Sequence, residues 1–292
     1  MQPAKPKTIR KVISKKVQDW LSSLPKELAE QVSPDVIVTG GCITSMLMGV
    51  PINDFDLYLK TQSSALALAK HYASLMPDTC IEVMIRDVEN IKGQIESRVV
   101  NFIPSAGVTG KNPDEPDEAD QWLDKDESAS EPEPKKKYYP QFISQNAITL
   151  SGSIQVITRF HGEVDEIHKN FDFVHATCCY DNGTGELTLP PKALESMLTK
   201  DLKYTGSLYP IASIFRAKKF IERGWRVTAG ELLKISFQVS EIDMTKIETL
   251  NDQLTGVDAA YMRALINALE NVDPEKLNST YVAEIIDRIF NS

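Results

Sequence analysis

Residues 36–59, VIVTGGCITSMLMGVPINDFDLYL, constrain the fold of this chain more than any other stretch. Val36, Ile37 and Val38 are β-branched and read as a short buried strand. Thr39-Gly40-Gly41 then calls for a tight glycine turn. Residues 43–48 suit a helix, closed by Gly49 and Pro51. Phe55, Leu57 and Leu59 alternate with Asp54, Asp56 and Tyr58, which predicts a second strand with its polar residues on one face.

That pattern has a chemical consequence. Asp54 and Asp56, two apart on a strand, point to the same side. Two such carboxylates repel unless they share a cation, and Mg²⁺ takes one or two carboxylates together with substrate phosphates. Gly40 and Gly41 carry no side chain, so their backbone can approach a triphosphate closely. Thr44, in the helix that follows, is a further candidate on the nucleotide side. A lone D-x-D is commonly a solvated pair on an edge strand, and on the residues alone both readings stand open.

The rest of the chain reads as strands followed by helices. Residues 8–32 form one or two amphipathic helices, with Ile9, Val12, Ile13, Val17, Trp20, Leu21 and Leu24 at helical spacing. Residues 63–76 are a helix, and 81–85 and 99–103 are strand candidates. Strands resume at 147–150 and 154–157 around a Ser151-Gly152-Ser153 hairpin, and 174–180 is strand-like. Helices follow at 211–222, 229–239, 244–254, 258–269 and 279–290. The expected domains are an N-terminal helical segment 1–33, a head 34–193 and a helical part 194–292.

Net charge is -9 over 292 residues, but Asp114 to Glu133 alone holds ten acids and one lysine. The remainder is formally neutral, so the acidic total does not exclude a nucleic-acid partner. Residues 107–137 are expected to be a disordered acidic insertion, too poor in apolar side chains to form a core. Trp122 and Leu123 are its bulky apolar pair. Cys42, Cys80, Cys178 and Cys179 read as reduced thiols. With no run long enough to span a membrane, the expected location is cytoplasmic, the host's cytoplasm if the source is viral.

The stretch GGCITSMLMGVPINDFDLYL resembles the signature of tRNA CCA-adding enzymes and bacterial poly(A) polymerases. FDFVHATCCYD followed by GEL is similar to a second segment of that family, with Asp172 on its aspartate and Tyr180-Asp181 on its Y-D. IFRAKKFIERGW resembles a third, with Arg216 and Lys219 on basic positions. The resemblance runs in order over roughly residues 36 to 226. It implies an α+β, polymerase-beta-like nucleotidyltransferase head with a mixed sheet, and an all-α C-terminal neck and body. It also implies Asp54 and Asp56 as catalytic metal ligands, Asp172 near the nucleotide's ribose, and Arg216 and Lys219 toward the triphosphate. The implied chemistry is Mg²⁺- or Mn²⁺-dependent transfer of NMP from an NTP, ATP among them, to an RNA 3′ end. tRNA is the first acceptor expected. A protein or small-molecule acceptor, and an inactive binding protein, are the alternatives.

The sequence also departs from that pattern. Gln155 stands where the family carries a third carboxylate, with Glu82 and Asp165 as nameable substitutes. Asn170 and Phe171 replace arginines before Asp172, and Tyr209, Pro210 and Ser213 occupy the base-reading positions. Such drift fits a viral or mobile-element relative. His175, Cys178 and Cys179 match no usual zinc spacing and read as core packing. His161 and His168 are general-base candidates with surface loops as the plain reading. Lys135 to Lys137 with Tyr138 and Tyr139 offer a basic, aromatic patch; the N-terminal lysines and Arg10 read as a solvated helix face that can also meet nucleic acid.

Overall fold

The computed structural model describes residues 2–77, 81–89, 94–102, 108–110 and 137–242, together with Gln253 and Glu284. Cys80, Trp122, Leu123, Lys135, Lys136, most of the acidic insertion and, but for Gln253 and Glu284, the helices expected at 244–254, 258–269 and 279–290 lie outside the described residues. The chain divides into two compact units. One comprises Met1–Val88, Glu96–His168 and Ala176–Pro190; the other Glu89–Ile95, Lys169–His175 and Pro191–Ser292.

The first unit opens with α1 (Pro6–Leu21), started by Pro6 at a position that needs no N–H donor. Ile9, Ile13, Val17, Trp20 and Leu21 form its buried face. Pro25 ends the run, and α2 (Lys26–Val32) follows. Then come β1 (Val36–Thr39), α3 (Gly41–Met48), β2 (Phe55–Leu59) and α4 (Gln62–Ser74). Gly49 closes α3 in the left-handed conformation, φ 69°. Thr61 caps α4 by accepting from the Ser64 N–H. Buried Trp20 donates to the Tyr72 hydroxyl at 2.8 Å, tying α1 to α4.

The main sheet also takes β5 (Val108–Gly110), β6 (Pro140–Ser144), β7 (Ala147–Leu150), β8 (Ile154–His161), β9 (Cys179–Asp181) and β10 (Glu186–Thr188), with the short α5 (Val164–His168) after β8. Its order is β10-β9-β1-β2-β8-β7-β6-β5. β2 and β8 run parallel and the other pairs antiparallel, so the sheet is mixed. β3 (Glu82–Glu89) and β4 (Ile95–Phe102) pair as a separate two-stranded ribbon.

Several expectations shift in detail. The 81–85 and 99–103 candidates are longer strands that stay out of the main sheet. Residues 108–110, expected in the insertion, form an edge strand on β6. The 174–180 segment is a 3₁₀ turn (Val174–Ala176) followed by β9 alone, because its backbone leaves the sheet where Val174 N–H bonds the Lys203 carbonyl. The hairpin at Ser151-Gly152-Ser153 is present, with positive φ at Gly152 (80°) and Ser153 (57°).

The second unit contains α6 (Pro191–Thr199), α7 (Pro210–Glu222) and α8 (Ala229–Ser240). Its core is aromatic. The His175 ring lies 4.5 Å from both the Phe220 and Trp225 rings and 6.0 Å from Phe173. His175 is 2% exposed, which explains its residue type as packing rather than metal ligation. Burial pushes its pKa down to about 4, with Asp172 pulling weakly the other way. The unfolded chain therefore binds a proton, at about pH 6.5 and below, that the native state refuses. The contribution is present above pH 6.5 and is lost as pH falls toward 4, on the order of 3 kcal/mol. Urea unfolding between pH 7 and 4 should show this slope, and His175→Phe should flatten it whatever its stability at pH 7.

Candidate nucleotide and metal site

Strand register builds the site. Thr39 of β1 pairs with Asp56 of β2, and Asp56 pairs with Gln155 of β8. Gln155 pairs with Thr149 of β7, and on the other side Thr39 pairs with Cys179 of β9, which pairs with Thr188 of β10. One rung thus crosses six strands with Thr, Cys, Thr, Asp, Gln and Thr in sequence. The rung beside it, Tyr180, Val38, Leu57, Val156 and Ile148, is buried. Period-two alternation explains both: Phe55, Leu57 and Leu59 go inward, and Asp56 and Tyr58 are half-buried on the other face. Asp54, also half-buried, lies immediately before β2 rather than within it.

Gly40 shapes the site. It sits at φ 93°, a backbone region that side-chain-bearing residues rarely adopt, and its N–H donates to the Ala176 carbonyl at 3.1 Å. A Cβ there would stand 2.9 Å from Asp56 Oδ2. The absent side chain is thus the space that the carboxylate uses. Gly41, exposed, begins α3, and Thr44 is buried one turn on. The Cys42 thiol is pushed up by burial, and the charges of Asp56 and Asp54 push it further. Both carboxylates therefore act on the first turn of α3, where backbone N–H groups lack intrahelical partners.

Two contacts at this site have no local sequence signal. Thr39 Oγ1 donates to the Cys178 carbonyl at 2.9 Å and stands 2.9 Å from His168 Nε2, which donates to it. His168 is 129 residues away in sequence, so no motif joins the two. Burial lowers its pKa. Lys16 of α1 lies over the Phe55 and Tyr138 rings, 5.4 Å from each centroid, and donates to the Gly152 carbonyl. Asp181, by contrast, is structural. Its Oδ2 accepts from Lys60 at 2.7 Å and its Oδ1 from the Gly183 N–H at 2.8 Å, closing the turn after β9.

The other expected site residues lie in the second unit. Asp172, buried, forms an ion pair with half-exposed Arg216 of α7. Lys219, one turn on, is exposed. Tyr209, Pro210 and Ser213 are all buried at the start of α7. Glu82 and Asp165, which belong to the first unit, are exposed. Among the described residues no group of three His, Cys, Asp or Glu side chains is arranged to hold a metal. Also among them, no helix is long and apolar enough to cross a membrane.

Comparison with known proteins gives two kinds of likeness. A CCA-adding enzyme of Thermotoga maritima complexed with tRNA is 13% identical, with TM-score 0.41, over 94% of this chain and 55% of that one. A CCA-adding enzyme in complex with CTP is 12% identical, with TM-score 0.41, over 100% of this chain and 60% of that one. A Gabija anti-defense 2 protein of Bacillus phage SPbetaL7 is 24% identical over 132 residues, 45% of this chain and 32% of that protein. The match thus spans about a third of that relative's length. The Gabija anti-defense 2 family as a whole matches residues 11–200, more than half of the chain. This chain belongs to the Gabija anti-defense 2 family.

Proposed function

We propose that this chain is a dication-dependent nucleotidyltransferase that serves phage counter-defence. The observation that supports this reading best is the seating of Asp56 against Gly40 at the start of α3, with Asp54 two residues before it in the chain. The donor set fits a hard dication: one carboxylate on β2 and a second two residues earlier, just before the strand, with the remaining positions left to phosphate and water. Asp54 and Asp56 would hold it. Bound there, it would neutralise charge on the transferring phosphate and the leaving pyrophosphate.

The protein's own groups account for the rest. The backbone at Gly41 and the turn leading to Thr44 receive phosphate oxygens, while Gly40, whose N–H is held by the Ala176 carbonyl, lets the chain approach them closely. In the second unit Asp172 holds the Arg216 guanidinium; by the family resemblance Asp172 would serve a nucleotide's ribose, and Arg216 and Lys219 its triphosphate. The acceptor oxygen bonds to the α-phosphorus as the bond to the β-phosphate bridging oxygen breaks, and pyrophosphate leaves. Gln155, an amide, cannot take up the acceptor's proton, so the proton passes to a carboxylate of the pair or to water.

The acceptor implied by the resemblance is an RNA 3′ end, tRNA first. A protein hydroxyl is the second reading. It is favoured by the burial of Tyr209, Pro210 and Ser213, which leaves no side chain at those positions to read a base, and by the family's anti-defence role.

Incubation with each labelled NTP and Mg²⁺ or Mn²⁺, with total RNA and total protein from a defended host in separate reactions, tests the reading. Label is expected on one acceptor class, and Asp54→Ala and Asp56→Ala should each reduce it by roughly 100-fold or more. No transfer to either class, with NTP binding indifferent to both substitutions, would refute the enzyme reading. Gln155→Glu adds a carboxylate next to Asp56. It should tighten Mn²⁺ binding by roughly tenfold in calorimetry; unchanged or weaker binding would count against a metal at this rung.

A further inference from the structure

We infer that the outward face of α1 is a docking surface for a nucleic-acid phosphate backbone. This inference does not depend on the transfer reading, since it concerns binding alone. The first 18 residues hold six Lys or Arg (Lys5, Lys7, Arg10, Lys11, Lys15 and Lys16) and no Asp or Glu. The structure sorts these cations. Lys16 turns inward over Phe55 and Tyr138. Lys7, Arg10, Lys11 and Lys15 are exposed. At 100° per residue these four fall within an arc of about 140°, and Lys7 to Lys15 extends about 12 Å along the helix axis. Ser14 and Gln18 lie between them on that arc, neither of them acidic.

Among the described residues none of the four forms an ion pair, although Lys and Arg elsewhere in this unit do so, at Lys60 with Asp181, Arg98 with Glu96 and Lys137 with Asp19. The opposite face of α1 is sealed into the core at Ile9, Ile13, Val17 and Trp20, so the cations sit on a fixed rod rather than a loose tail. A stripe about 12 Å long matches the axial run of three to four nucleotides of one strand, at about 3.4 Å each.

The same burial decides the class of partner. A basic helix that binds an anionic membrane does so by sinking its apolar face among the lipids. Here that face is already occupied by the protein, and Val12, 40% exposed, is the apolar side chain left on the outside of α1. A polyanion that needs only charge and hydrogen-bond donors fits; a bilayer does not.

Fluorescence anisotropy on the full chain tests this, with a labelled 20-base-pair DNA and a labelled single-stranded RNA of mixed sequence from 50 to 200 mM KCl. Four phosphate contacts predict a slope of log K against log salt of about −3.6 for the duplex and about −2.8 for the single strand. The variant K7Q/R10Q/K11Q/K15Q should lose at least about tenfold in affinity at 50 mM and most of that slope. The half-variants K7Q/K11Q and R10Q/K15Q should each lose about half of the slope, which separates a graded electrostatic loss from misfolding. K26Q/K70Q should bind as the wild type does. Wild type that binds neither probe, a quadruple variant that keeps affinity and slope, or equal losses in K26Q/K70Q would overturn the inference. So would binding to vesicles with 30% anionic lipid but to neither nucleic acid.

Discussion

The pairing register of β1, β2 and β8 is the constraint on which the candidate site depends. Thr39, Asp56 and Gln155 share one rung, and a slip of one residue would send Asp56 into the core and Leu57 into solvent. The buried neighbours Val38, Leu57 and Val156 hold that register, so packing of one rung fixes the chemistry of the next. Gly40 completes the arrangement. Its positive φ turns the chain into α3, and its missing side chain leaves room for the Asp56 carboxylate. Apolar burial, backbone geometry and carboxylate placement therefore converge on a few residues.

That geometry bears on the transfer proposed for this site. The rung offers the Asp56 carboxylate and an amide, with Asp54 just before the strand, and the amide has ordinary internal company in Thr149, 3.4 Å from Gln155 Nε2. In the second unit Asp172 and Arg216 pair directly, while the start of α7 spends Tyr209, Pro210 and Ser213 on packing. An anti-defence role sets no need for a fixed C-then-A addition. A site that keeps the carboxylate pair without a base-reading motif is consistent with transfer onto an acceptor chosen by other surfaces, α1 among them.

Much of this was legible in the sequence because it is local. The β-branched run, the glycine turn, the short helix and the alternating strand follow from periods of 2 and 3.6 and from glycine's backbone freedom. The mixed sheet is as the family resemblance implied, and α7 and α8 lie where the sequence placed helices at 211–222 and 229–239. What was not legible is long-range. His168 reaches Thr39 across 129 residues, and Lys16 reaches the Phe55 and Tyr138 rings from another element. The strand expected at 174–180 starts as a 3₁₀ turn at Val174–Ala176, because a tertiary bond to Lys203 outweighs the β propensity of Val174, and only its end joins β9. The separation of β3 and β4 from the main sheet likewise depends on partner choice, which residue type does not encode.

The central claim is that Asp54 and Asp56 hold a dication for a nucleotide's phosphates. A crystal of the full chain with Mn²⁺ and a non-hydrolysable NTP analogue, measured at the manganese edge, tests it most directly. The account predicts an anomalous peak about 2.1 Å from carboxylate oxygens of both aspartates, with phosphate oxygens completing its coordination. A nucleotide bound elsewhere, or bound over Gly40 and Gly41 with no manganese between it and the aspartates, would contradict the account.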